Sequence, residues 1–166
     1  MPEKEKTCAF TGHRPNKLPW GGNESDERCL IFKRTLYDAV RSMYDGGVRH
    51  YICGMAKGCD LFFAEAVLAL RDEKPDVTLE AAIPYEGQSK AWDTADRARY
   101  FKILENCDMQ TVVQQYYSPN CMQRRNEYMV DCAGVLIAAY NGSSGGTRNT
   151  LLYAMRRDIQ IIEIAL

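Results

Sequence analysis

Short apolar runs, many of them β-branched, recur along the chain at Thr7–Thr11, Val48–Cys53, Val77–Ile83, Gln110–Val113, Val135–Tyr140 and Ile159–Ile164, and each predicts a strand. Between them the period lengthens. Cys29, Phe32, Leu36, Val40 and Met43 recur at three-to-four spacing and stop at Gly46-Gly47, which predicts a first helix with a glycine C-terminus. A second helix is expected from about Asp60, as its N-cap, to Leu70, ending before Pro75. Its nearly unbroken apolarity predicts deep burial. A third is expected over Lys90 to Asn106 with Trp92, Ala95, Ile103 and Leu104 inward, a fourth over Met122 to Ala133, and a fifth over Gly146 to Arg157.

Strands alternating with helices throughout predict a Rossmann-like α/β fold: a mainly parallel sheet of about six strands with helices on both faces. The length of 166 residues fits a single domain, 1–166, with its own core. Sheets of this kind bind ligands outside the carboxyl ends of their strands. Three loops fall at that edge: Thr11-Gly12-His13-Arg14-Pro15, Gly54-Met55-Ala56-Lys57-Gly58-Cys59-Asp60, and Asn141-Gly142-Ser143-Ser144-Gly145-Gly146-Thr147. The irregular stretches at 15–24 and 114–120 are candidate pocket walls.

The loops carry the candidate chemistry. Gly145, Gly146 and Thr147 open a helix, where free N–H groups and a hydroxyl converge on a phosphate-sized anion, with Asn141 close by. Gly54 and Gly58 either clear space for a sugar or phosphate or simply form a tight turn, and Asp60 either caps its helix or accepts from a ribose hydroxyl. Arg125 is the candidate phosphate clamp; the competing reading places Arg124, Glu127 and Asp131 in a surface ion-pair lattice. Adjacent arginines on a helix point about 100° apart, so at most one of Arg124 and Arg125 faces a pocket. His13 and Arg14 can bind an anion or, for His13, pass a proton. Tyr116 and Tyr117 either stack on a base or pack, with packing favoured, and Trp92 is expected in the core.

Composition narrows the picture in three ways. The charged start at residues 1–6 and the shortness of the apolar run at 134–140, against the roughly 20 residues of a membrane span, lead to the expectation of a cytoplasmic protein with no membrane span. The seven cysteines contain no C-x-x-C pair, so buried thiols and no metal site are expected. A net charge of −1 from 21 basic and 22 acidic residues argues against a nucleic-acid partner except through a local patch of Arg124, Arg125, Arg148, Arg156 and Arg157. No cofactor is specified. The absence of a Gly-Lys-Ser/Thr ending and of Gly-x-Gly-x-x-Gly after the first strand disfavours a kinase or an ordinary dehydrogenase.

Taken together, Thr11-Gly12-His13-Arg14-Pro15-x-Lys17-Leu18, Gly54-x-x-x-Gly58-x-Asp60, Ile83-Pro84-Tyr85-x-x-Gln88-x-x-x-Trp92, Arg125-Asn126-x-Tyr128-Met129-Val130-Asp131 and Gly145-Gly146-Thr147 resemble the SLOG superfamily, most closely its YpsA-like branch. The resemblance covers nearly the whole chain. It implies a Rossmann-like domain that binds a nucleotide or a nucleotide derivative such as NAD or ADP-ribose, a sensor or regulatory role, and a homodimer. The ligand-binding residues expected from motifs and resemblance are Thr11, Gly12, His13, Arg14, Gly54, Gly58, Asp60, Arg125, Asn141, Gly145, Gly146 and Thr147. The superfamily's LOG-type phosphoribohydrolases carry a Gly-Gly-x-Gly-Thr-x-x-Glu loop; here Asn149 and Thr150 stand around the place of its carboxylate. Splitting an N-glycosidic bond builds positive charge on the sugar that a carboxylate stabilises, so turnover would fall to Asp60 or Glu127, with Arg125 the third catalytic candidate. The DprA-like branch, which binds single-stranded DNA, supplies a further alternative.

Overall fold

The computed structural model describes residues 2–166. Its strands are β1 (Thr7–Gly12), β2 (His50–Cys53), β3 (Thr78–Tyr85), β4 (Met109–Gln114), β5 (Val135–Tyr140) and β6 (Gln160–Ala165), and its helices α1 (Glu27–Asp45), α2 (Cys59–Glu73), α3 (Thr94–Glu105), α4 (Cys121–Asp131) and α5 (Gly146–Arg156). All six strands join one parallel sheet in the order β4-β3-β2-β1-β5-β6. The expected Rossmann-like α/β architecture is therefore present. Chain order reverses between β1 and β5, and the crevice at such a switch point is where open α/β sheets hold ligands.

Strand alternation divides the core in two. Cys8 and Phe10, Tyr51 and Cys53, and Leu79, Ala81 and Ile83 enter one cluster with α1, α2 and α3; Ala9, Ile52, Ala82, Leu136 and Ala138 face the other, under α4 and α5. Phe10 stacks on Phe63 of α2 at 4.6 Å, so the first strand and second helix are fixed against each other just below the crevice.

Two helix starts differ from the sequence reading. The N-cap of α2 is Gly58, not Asp60, which lies in the first turn with its side chain buried. Helix α3 begins only at Thr94, capped by the Asp93 carboxylate accepting from the Asp96 N–H at 2.8 Å, because residues 86–92 form turns after β3. Ala95 is consequently exposed, and Tyr100 takes the inward place beside Ile103. Trp92 lies outside the helix, half-buried and edge-on to Tyr100 at 5.3 Å. The seven cysteines are free thiols, five of them buried, and no helix among the described residues is long and apolar enough to cross a membrane.

Candidate functional site

A cleft of about 220 Å³ opens at the β1/β5 switch point. Its walls come from four elements: Thr11 to Arg14, Asn16 and Lys17 after β1; Ala56 and Asp60 after β2; Met122, Arg125 and Asn126 on α4; and Gly146 and Thr147 at the start of α5. Three loops far apart in sequence thus converge as the strand-end argument requires. Glu127, by contrast, lies outside the cleft with its carboxylate accepting from Gln123, and the Arg124–Glu127–Asp131 lattice does not form: Arg124 donates to Gln114, and Asp131 pairs with Arg157 and Tyr153.

The loops after β1 and β5 are tied directly. His13 Nε2 lies 2.8 Å from Asn141 Oδ1, which also accepts from the Ser143 N–H at 2.9 Å. The Asn141 backbone N–H also points at Nε2, from 3.3 Å, so one residue after β5 meets the imidazole through both its side chain and its main chain. Burial holds the His13 pKa below its usual value, against the hydrogen bond to Asn141, with Lys17 reinforcing the fall. The neutral imidazole is therefore the form present at pH 7. Lys17 makes the second tie, its Nζ donating to Ser144 O at 2.5 Å.

Of the two readings of Gly54 and Gly58, room for a ligand or a tight turn, the geometry favours the turn. A Cβ on Gly54 would stand 2.7 Å from the Arg125 guanidinium carbon and 2.9 Å from Asp60 Oδ2; the space serves those two side chains, not a ligand. Gly58, at φ 87°, lets the β2–α2 turn pass beneath the His13 carbonyl, 2.9 Å from where its Cβ would be. Gly54 and Gly58 are thus the floor that brings Asp60 and Arg125 to the cleft. A Cβ on Gly146 would meet nothing within 4 Å, and that residue faces open space.

Arg125 is buried, only 3% exposed, and most of its donors are spent. Nε donates to Asn126 Oδ1 at 2.7 Å, and Nη1 to the carbonyls of Gly54 and Ala82, clipping α4 to the residue after β2 and to the middle of β3. Only Nη2, against Met122 Sδ at 3.9 Å, is left for a ligand, so a bidentate clamp is not available. Asp60, 6% exposed, accepts from the Ala56 N–H through Oδ2 at 3.1 Å, while Oδ1 has no hydrogen-bond partner among the described residues. Burial pushes the Asp60 carboxyl above its usual range, opposed by Arg125, the Ala56 N–H and Arg14; burial likewise lowers the Arg125 pKa.

Cations and a helix end crowd together above this floor. Helix α5 has no side-chain cap, which leaves its first N–H groups without a side-chain partner where Gly146 and the buried Thr147 line the cleft. The Lys17 ammonium sits over its N-cap, 2.7 Å from a Cβ placed on Gly145, and Arg14 reaches Met122 Sδ at 3.8 Å. Lys17 and Asn126 were not among the sequence candidates; the Thr-Gly-His-Arg-Pro-x-Lys spacing was the available signal for Lys17. At the place of the LOG carboxylate, Thr150 is buried and donates to Gly146 O at 2.8 Å, and Asn149 is exposed. No group of three His, Cys, Asp or Glu side chains suited to a metal ion occurs among the described residues.

The chain is similar to known proteins to different extents. UPF0398 protein YpsA of Bacillus subtilis is 25% identical over 150 residues, covering 89% of this chain and 82% of its own, and the SPbeta prophage-derived protein YoqJ of the same organism is 32% identical over 118 residues, 64% and 69% of the two chains. Among solved structures, DNA processing protein A from Streptococcus pneumoniae matches with a TM-score of 0.63 at 13% identity, and that from Helicobacter pylori with 0.66 at 14%. Each match covers 96% of this chain but only 50% and 65% of the respective neighbour, and at such identity it shows a shared fold. The loops that build the cleft all fall within residues 8–161, the span matched by the model of the YspA SLOG family, and the chain belongs to that family.

Proposed function

We propose that the cleft binds a phosphate-bearing nucleotide derivative and that the protein acts as a sensor or regulator through that ligand. The observation that carries the reading is electrostatic. Lys17 is parked at the positive end of α5 while Arg14 and Arg125 Nη2 border the same space, and the only carboxylate in the wall is Asp60. A cation at a helix N-terminus is opposed by the helix dipole unless an anion lies between them. A phosphate there would accept from the α5 amides, Thr147 and Lys17 together. Asp60 Oδ1 then offers an acceptor to a sugar hydroxyl.

A second reading, N-glycosidic hydrolysis of a nucleotide, is favoured by one observation: the unpartnered Asp60 Oδ1 supplies a carboxylate oxygen in the cleft although Thr150 does not. Single-stranded DNA binding, the mode named for the Helicobacter pylori neighbour, ranks below both because net charge −1 provides no general attraction to a polyanion. Titration with nucleoside monophosphates, NAD and ADP-ribose, with free base followed by chromatography, separates the readings. Binding without base release is expected, and Gly146→Val should abolish it without altering the fold, because a side chain there enters open cleft. Wild-type affinity in Gly146→Val would remove the α5 terminus from the site. Base release lost in Asp60→Asn would establish the hydrolase.

A further inference from the structure

Tyr116 and Tyr117, for which packing was the favoured expectation, are 76% and 66% exposed. They are not on a loose loop. Gln114 Nε2 donates to Tyr116 O at 2.7 Å and to Ser118 Oγ at 2.8 Å, Arg124 holds the other end of the same amide at 2.7 Å, and Ser118 Oγ donates to Asn120 Oδ1. Tyr85, the last residue of β3, braces Tyr117 edge to face, with centroids 5.5 Å apart at 81°. An edge-to-face pair leaves at least one face of Tyr117 open. The loop then runs into α4, whose second residue, Met122, lies between Arg14 and Arg125 in the cleft wall.

We infer that Tyr117, with Tyr116 beside it, is a base-stacking platform for a nucleoside diphosphate whose phosphates lie in the cleft. The inference rests on the anion site proposed above. Two features set the ligand's length. The end of β3 is two strands from β1 and three from β5, about 10–14 Å at ordinary strand spacing, and the cations occupy two separate positions, Lys17 at the start of α5 and Arg14 and Arg125 against Met122 at the start of α4. A diphosphate spans both cationic positions and carries its base to the tyrosines. A loop already held by hydrogen bonds gives up little entropy when a ring stacks on it.

Calorimetric titration of the wild-type protein and of Tyr117→Ala with ADP and with inorganic pyrophosphate tests this. ADP should bind the wild type about tenfold more tightly than pyrophosphate does, since one stacked base contributes on that order. Tyr117→Ala should erase the advantage and leave pyrophosphate binding unchanged, and the exposed ring can be removed without harm to the fold. Equal binding of ADP and pyrophosphate to the wild type, or undiminished ADP binding in Tyr117→Ala, overturns the platform while leaving the anion site standing. If pyrophosphate and ADP both fail to bind the wild type, the anion site falls and the platform with it.

Discussion

Two buried carboxylates, one toward each end of the strands, show how the same chemical group is put to opposite uses. Glu80, near the amino ends of the strands and beneath α4, is 2% exposed and fully satisfied: Oε1 accepts from His50 Nε2 at 2.9 Å, and Oε2 from Tyr128 at 2.6 Å and Thr111 at 3.0 Å. Burial works against its ionised form, but those hydrogen bonds outweigh it and hold Glu80 below its usual pKa. Asp60, at the carboxyl ends, has one oxygen bonded and one open, and burial holds it above its usual pKa. A closed network joins β2, β3, β4 and α4 and has nothing left to offer; an incomplete one keeps unspent capacity where a ligand can use it.

That contrast can be broken most severely at Glu80. Glu80→Ala removes the acceptor shared by His50, Tyr128 and Thr111 and should cost about 3–5 kcal/mol in urea unfolding, with pyrophosphate affinity per folded molecule unchanged. A loss below about 1 kcal/mol would mean that the network is not a principal tie of the sheet to α4.

The next largest effect is expected in the cleft. Lys17→Gln should weaken pyrophosphate binding about tenfold and flatten its dependence on salt, because one cation is removed from the anion's surroundings. Thermal stability should hold, since Lys17 bonds only a loop carbonyl. Unaltered pyrophosphate affinity would place the anion elsewhere.

The pH dependence sharpens the comparison with a smaller signal. Because Glu80 titrates lower in the folded chain than in the unfolded one, its stabilisation is present above about pH 4.3, the ordinary glutamate value, and is lost as pH falls through the lowered native value. Asp60 has the opposite sign: its raised native pKa makes the protein lose stability as pH rises from the ordinary aspartate value toward the native one. Acid unfolding of Glu80→Gln should therefore be less steep than that of the wild type, and an identical slope would exclude Glu80 as a source of it.

The smallest change should be Asp60→Asn, which keeps an oxygen for the Ala56 N–H and should stay within about 1 kcal/mol of wild-type stability. A loss as large as that of Glu80→Ala would show Asp60 to be a structural group after all.

The hydrophobic periodicity determined the alternating architecture, and with it the strand edge at which the cleft opens: strand and helix periods are local, and β5 was placed residue for residue. The glycine-bearing loops and Arg125, His13 and Asp60 were also legible, because turn chemistry and charge can be read one residue at a time. Roles that depend on distant neighbours were not. Whether Gly54 makes room for a ligand or for a side chain depends on Arg125, 71 residues away. Asp60 looked like a cap because its spacing suits one, yet Gly58 begins the helix and the carboxyl turns to Ala56. The Glu80 network escaped notice because its members come from β2, β3, β4 and α4 and form no pattern along the chain. Periodicity settled which elements form; only the tertiary structure decided which buried polar atoms are satisfied, since satisfaction belongs to pairs of atoms that the fold alone brings within hydrogen-bond reach.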